Sequence, residues 1–185
     1  MIHIVGLGGI GFWLTVGLSR FVAHTNLTCW DHDTLNGTGA LRLPHAPPTT
    51  SKANLLRGFL LVSMGEPYTP VLNERRFFGT DHGIQRGDLI VDCTDMAMRG
   101  RRAMWTRSRR KGANLLRVSY DGRSSTIVAA SGLPLIAPVA GGYAEMPSLA
   151  LSLAAGGIGA ELVRRYLANP VDRFELALSI GEVIP

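Results

Sequence analysis

The feature that most constrains this chain is the run Ile2-His3-Ile4-Val5 passing directly into Gly6-Leu7-Gly8-Gly9-Ile10-Gly11. Four β-prone residues read as a strand, the glycines end it, and Phe12, Leu14, Val16, Leu18, Phe21 and Val22 continue as a largely apolar helix. Strand, tight turn and helix in that order require the helix to fold back onto its own strand, the opening unit of a parallel α/β sheet. Gly6, Gly8 and Gly11 then serve the turn, the approach of a ligand to the backbone, and the packing of helix on strand. The amides of Gly8, Gly9 and Ile10 face the positive end of the helix dipole, where phosphate oxygens are held. A glycine-rich turn used only for packing is the plainer alternative.

A second strand, Leu27 to Trp30, ends in Asp31-His32-Asp33. Asp31 follows the glycines by about the 20 residues that a dinucleotide fingerprint spans. Its two carboxylate oxygens can accept two ribose hydroxyls, and its charge rejects a 2′-phosphate, which favours ATP or NAD over NADP. Thr50 or Ser51 caps a helix from Lys52 to Met64, which Gly65-Glu66-Pro67 stops. Thr69 to Phe77 reads as a third strand, and Asp88 to Asp95 as a buried one with acids at its carboxyl end, the ligand side of such sheets.

A basic helix is expected from Ala97 to Lys111, closed by Gly112, then strands Leu115 to Tyr120 and Thr126 to Ala130 joined by the hairpin signal Asp121-Gly122. Gly132 to Pro147 reads as a loop, as does the long segment Leu35 to Thr50. An apolar helix from Pro147 or Ser148 to Leu167 and a final strand from Arg173 to Ile180 complete the chain. The expected fold is α/β and Rossmann-like: a mostly parallel sheet flanked by helices, with an antiparallel C-terminal extension, in one domain over residues 1–185.

With 46% hydrophobic residues in 185, the chain can bury a core without disulfides or a structural metal. Its most apolar stretches, Leu55 to Val62 and Leu149 to Ile158, are shorter than the roughly 20 residues that cross a bilayer. No cleavable leader precedes the first strand, so the reading is a cytoplasmic protein that does not enter a membrane. Two cysteines, Cys29 and Cys93, sit inside strand motifs as small buried thiols, and no CxxC pair offers a zinc site. The histidines are scattered; His32, between two acids, is the one placed to tune nucleotide binding.

The 19 cations exceed the 14 acids. Seven cations lie from Arg99 to Lys111, with Trp105 among them. They form either a solvated face or a surface for an acidic protein or, less favoured, a nucleic-acid backbone.

Taken in order, Gly6 to Gly11, Trp30-Asp31-His32-Asp33-Thr34, Arg42, Ser51-Lys52-Ala53 and Asp88 to Asp95 resemble the successive signatures of the ThiF/MoeB family, adenylyltransferases related to the ubiquitin-activating enzyme. The resemblance covers about the first two thirds of the chain. It implies that Gly6, Gly8, Gly9, Ile10, Gly11, Asp31 and Asp33 form the ATP site, with Asp31 on the ribose. It also implies that Arg42 and Lys52 contact the phosphates, that Asp95 holds magnesium, and that Arg99 faces the site. The activity implied is attack by the C-terminal carboxylate of a small ubiquitin-like, β-grasp protein on the α-phosphate of ATP, in a homodimer. Read physically, Lys52 is a point charge suited to phosphate and Arg42 can engage two oxygens at once, though each could equally be a solvated cation. An alternative for Asp95 is the N-cap of the helix that follows.

The sequence departs from the family at Gly39 and Met96, where asparagines are usual. It also begins at its first strand rather than at the helix that carries an arginine into a dimeric relative's site. It has no cysteine in the Gly132 to Pro147 loop, where thioester-forming relatives carry one. A nucleotide-binding scaffold or regulatory subunit is therefore the alternative, and an NAD-dependent oxidoreductase, which would leave Arg42, Lys52 and Asp95 idle, ranks behind both.

Overall fold

The four residues before the glycines form β1 (Ile2–Val5), a central strand buried along its whole length. The computed structural model describes residues 1–36, 41–65, 69–80, 83–96, 98–120, 126–131, 149–169 and 175–179. Gly39, the Asp121-Gly122 turn and the Gly132 to Pro147 loop lie outside them. Around β1 stand β2 (Leu27–Trp30), β3 (Val71–Asn73), β4 (Leu89–Asp92), β5 (Asn114–Tyr120), β6 (Thr126–Ser131) and β7 (Glu175–Ser179), in the order β3-β2-β1-β4-β5-β6-β7.

The first five positions are parallel: Ile4 pairs with Cys29 on one side and Val91 on the other, Leu72 with Cys29, and Leu116 with Val91. The last two strands run antiparallel, with Val118 opposite Ala129 and Val128 opposite Ala177. This is the expected Rossmann-like sheet with its antiparallel extension. The strand order reverses at β1, so the chain leaves β1 and β4 towards opposite faces of the sheet, and a crevice opens between their carboxyl ends.

The parallel strands are apolar on both faces because helices cover both. Ile4, Cys29 and Val91 pack under α1 (Gly9–Leu18), while Trp30, Ile90 and Leu115 pack under α3 (Met98–Arg110). On the α3 side the Trp30 indole N–H donates to His3 Nδ1 at 3.3 Å. That leaves the His3 Nε2 hydrogen to donate to Asp88 Oδ2 at 3.2 Å, so a buried histidine is satisfied on both ring nitrogens.

Between Ser51 and Gly65 lies α2 (Lys52–Met64). The Ser51 side chain accepts from the Asn54 amide at 3.1 Å, and Gly65, at φ +88°, donates its N–H to the Leu60 and Leu61 carbonyls. The fourth helix, α4 (Leu149–Ala168), lies across α1 with almost no space between the backbones. A Cβ on Gly156 would stand 2.5 Å from Trp13 Cβ and 2.8 Å from the Leu14 amide nitrogen, and one on Gly17 2.8 Å from Ala160 Cβ. None of the helices, among the described residues, is long and apolar enough to cross a membrane.

Three expectations need correction. The third strand is three residues, not Thr69 to Phe77, because β3 is an edge strand whose partner β2 ends at Trp30. Beyond Asn73 the chain leaves the ladder and buries Phe77 against Trp30, ring centroids 5.2 Å apart. The first helix stops at Leu18, before Phe21 and Val22, whose amides both donate to the Leu18 carbonyl in a turn; Phe21 is exposed. In the basic helix, Arg101 and Trp105 are not solvated: both are buried, Trp105 completely.

The α1–α4 contact gives a paired prediction. Gly156→Val should lower stability in urea unfolding by roughly 1–3 kcal/mol through overpacking. Gly157→Ala, with nothing within 4 Å of its added Cβ, should raise it by up to about 1 kcal/mol.

Candidate functional site

The crevice is built on close backbone contacts. Gly6 takes φ +89° and donates its N–H to the Trp30 carbonyl at 2.9 Å; a Cβ there would lie 3.1 Å from Thr94 Cγ2 and 3.2 Å from the Cys93 carbonyl. A Cβ on Gly11 would land on the Gly6 carbonyl oxygen. Gly8 is the N-cap of α1 and has open space around the missing side chain. The first turn of α1 contains no acid and has no side-chain cap, so its amides remain oriented towards the crevice with their partial positive charge uncompensated by the protein.

Asp31 lies at the carboxyl end of β2 and is buried. Its Oδ2 accepts from the Leu7 amide at 2.6 Å and its Oδ1 from the Asp33 amide at 2.8 Å, which ties the glycine loop to the β2 terminus. Each oxygen keeps a second lone pair. Lys52, in the first turn of α2, reaches across with Nζ 2.9 Å from Asp33 Oδ2 and 3.9 Å from Asp31 Oδ2. Partial burial pushes the Asp33 carboxyl up, but the Lys52 hydrogen bond, followed by the charges of Lys52, His32 and Arg76, outweighs it and leaves the group below its ordinary 3.8.

Opposite stands the turn after β4. Asp92, fully buried, accepts from the Thr94 amide at 3.0 Å and the Thr94 hydroxyl at 2.6 Å. The same carboxylate is paired with Arg101 Nε of α3 and Arg117 Nη1 of β5, each at 3.3 Å. Arg101 Nη2 donates to the Met96 carbonyl at 2.6 Å. A buried charge cluster therefore fixes both ends of the segment 94–96, and Asp95, between them, is held out as an exposed carboxylate. Among the described residues no α3 amide is capped by Asp95.

Between these walls lies a cleft with about 1010 Å³ of space, its open mouth included. Gly6, Gly8, Gly9, Ile10, Asp31, Asp33, Arg42, Lys52 and Asp95 all line it; Gly11 lies beneath, against Gly6. The Arg42 stem passes over Gly9, at 3.1 Å from the position of an added Cβ, and its carbonyl accepts from the Trp13 indole at 2.9 Å. Met96 also faces the cleft. Arg99 is exposed and is not among the residues that line the cleft.

Sequence reasoning missed Arg75 and Arg76, which line the β3 side. The Arg75 guanidinium lies 5.1 Å from the Trp30 ring centroid, and Arg76 Nη2 lies 3.5 Å from His32 Nε2. The signal was the pair of cations directly after β3, hidden by extending that strand through Phe77.

For a hard cation the available donors are carboxylates. Asp31, His32 and Asp33 offer atoms within 4.8 Å of one another, but Lys52 already answers that charge. Asp95 has the oxygen donor and the exposure that magnesium requires. Both cysteines are unsuited to nucleophilic work: burial, offset slightly by a Thr15 hydrogen bond, pushes Cys29 up to about 12, and burial raises Cys93 as well.

No protein-family model and no curated protein sequence matches the chain. Solved structures do match in fold. Escherichia coli MccB superposes with a TM-score of 0.73 at 15% identity, over 99% of this chain and 60% of that one. MccB solved with ATP gives 0.71 at 14% identity, over 99% and 62%. PaaA gives 0.65 at 15% identity, over 98% and 61%. The chain thus spans about three fifths of the length of these structures, and at such identities the likeness is one of fold.

Two measurements check the site as described. Asp92→Ala, which leaves two buried guanidinium groups without their carboxylate, should cost roughly 3–5 kcal/mol in urea unfolding. Asp33 has a depressed folded value, so its contribution to stability is present above the unfolded 3.8 and fades as pH falls through the lower folded value. In a carboxyl carbon NMR titration, Lys52→Met should move the Asp33 midpoint upward.

Proposed function

We propose that the chain is an ATP- and magnesium-dependent adenylyltransferase that activates the C-terminal carboxylate of a small protein or peptide. The observation that carries this reading is the meeting, in one cleft, of the uncapped α1 terminus, the buried Asp31, the cations Arg42 and Lys52, and an Asp95 held out by a buried charge cluster. In this reading the triphosphate lies across Gly8, Gly9 and Ile10, Asp31 accepts the ribose hydroxyls with its remaining lone pairs, and Arg42 and Lys52 take phosphate oxygens.

A substrate carboxylate oxygen attacks the α-phosphorus, and the bond to the bridging oxygen breaks. Pyrophosphate leaves with the electron pair, giving an acyl-adenylate. No side-chain nucleophile takes part, so the work of the protein is to position charge, and the raised thiols of Cys29 and Cys93 fit that division. Magnesium, held by Asp95, would neutralise charge developing on the departing phosphates.

Support comes from MccB, the microcin C7 biosynthetic enzyme, solved with ATP and also with AMPCPP and MccA together. A β-grasp, ubiquitin-like partner and a homodimer are the forms implied by the ThiF/MoeB resemblance. A second reading, a nucleotide-binding scaffold or regulatory subunit, draws on Met96, an apolar side chain at the cleft where the family has an amide.

ATP with magnesium should raise the melting temperature and support exchange of labelled pyrophosphate into ATP in the presence of the acyl partner. Lys52→Met should lower that exchange by about 10²–10³-fold, and Asp95→Ala should lower it too while raising the magnesium concentration it needs. Binding without exchange would favour the scaffold reading. NAD binding tighter than ATP binding would overturn both.

A further inference from the structure

Seven of the chain's 19 cations lie from Arg99 to Lys111, a stretch without an acid, which leaves 12 cations against 14 acids elsewhere. The net charge of +5 is therefore a local property of this stretch, six of whose cations lie on α3. Arg101 turns inward to Asp92, and Lys111 Nζ donates to the Thr80 carbonyl at 3.0 Å. Arg99, Arg102, Arg107, Arg109 and Arg110 are exposed. At about 100° per residue they fall on the side of the helix away from the buried Arg101, Met104, Trp105 and Ser108.

The exposed face of α4 shows how such charges are ordinarily answered: Arg164 and Arg165 both bind Glu161, each at 2.7 Å. Among the described residues no ion pair engages the five arginines of α3. Cations three or four positions apart on one face repel, and Arg99 stands in the first turn, where the helix dipole disfavours positive charge. An anionic partner would remove both penalties.

We propose that the outer face of α3 is the docking surface for an acidic polypeptide segment, the stretch that precedes the carboxylate entering the cleft. This deepens the adenylation reading and rests on it for the identity of that carboxylate. The helix starts just past Met96, a cleft residue, so Arg99 and Arg102 stand nearest the cleft and Arg107, Arg109 and Arg110 lead away from it along about 20 Å of helix. Guanidinium forks engage carboxylates bidentately. The helix has one aromatic residue, Trp105, and it is fully buried, so the face has no platform for stacked nucleobases.

The test is fluorescence anisotropy in roughly 0.15 M salt, a level that screens diffuse attraction. The probe is a labelled glutamate-rich peptide ending in a free carboxylate. Wild type should bind it, and the combined Arg102→Glu, Arg107→Glu and Arg110→Glu variant should bind at least about tenfold more weakly while keeping its thermal response to ATP and magnesium. Arg164→Glu with Arg165→Glu, on α4, should leave the peptide affinity unchanged. Equal loss in the α3 and α4 variants, or no loss in the α3 variant, overturns the proposal. Duplex DNA binding wild type more tightly than the peptide does so as well, in favour of a phosphate backbone. Peptide binding that depends on α3 in a chain giving no response to ATP would sink the adenylation reading alone and leave the docking surface standing.

Discussion

Everything at the ligand end of this molecule depends on the contact between Gly11 and the carbonyl of Gly6. A helix can begin immediately after β1 because neither residue carries a side chain, and any Cβ at Gly11 would occupy the place of that oxygen. The contact sets the first turn of α1 directly above the end of the strand, with its amides facing outward. The Leu7 amide, in the same loop, is held by Asp31 at the end of the neighbouring strand. Loop, carboxylate and helix terminus thus form one rigid wall made almost entirely of backbone.

The opposite wall is rigid for a different reason. Removing a carboxylate and two guanidinium groups from water is costly, and here their mutual attraction and the bond from Arg101 to the Met96 carbonyl offset part of that cost. Asp92, Arg101 and Arg117 come from a strand end, a helix and the adjacent strand, so their pairing joins three elements at one point. The short turn that presents Asp95 hangs from this cluster through Thr94 and Met96. A flexible, solvated carboxylate would present no fixed geometry to a ligand, whereas this one projects from an anchored frame.

Much of the architecture is legible in the sequence because local signals and tertiary needs agree. The glycine turn, the Ser51 cap and the Gly65 stop fall where spacing puts them, and the buried strands announce themselves as continuous apolar runs. The failures have physical causes. The extent of β3 is decided by where its partner ends, which a single strand cannot reveal. The inward turn of Arg101 depends on a carboxylate from another strand, so a run of arginines that reads as uniformly solvated conceals one core residue. Arg75 and Arg76 reach the cleft only because the chain folds over after the sheet edge. In each case the missing information is a long-range partner.

The ion pair between Lys52 and Asp33 has its own implication. Any incoming anion that seeks Lys52 meets an ammonium group already sharing one of its three hydrogens with a resident carboxylate. That carboxylate stays tethered beside it, so the pair attracts an anion less than the number of nearby cations suggests. Ionic strength should then influence anion capture at this position only weakly, and selectivity would rest on shape and hydrogen-bond count more than on raw attraction.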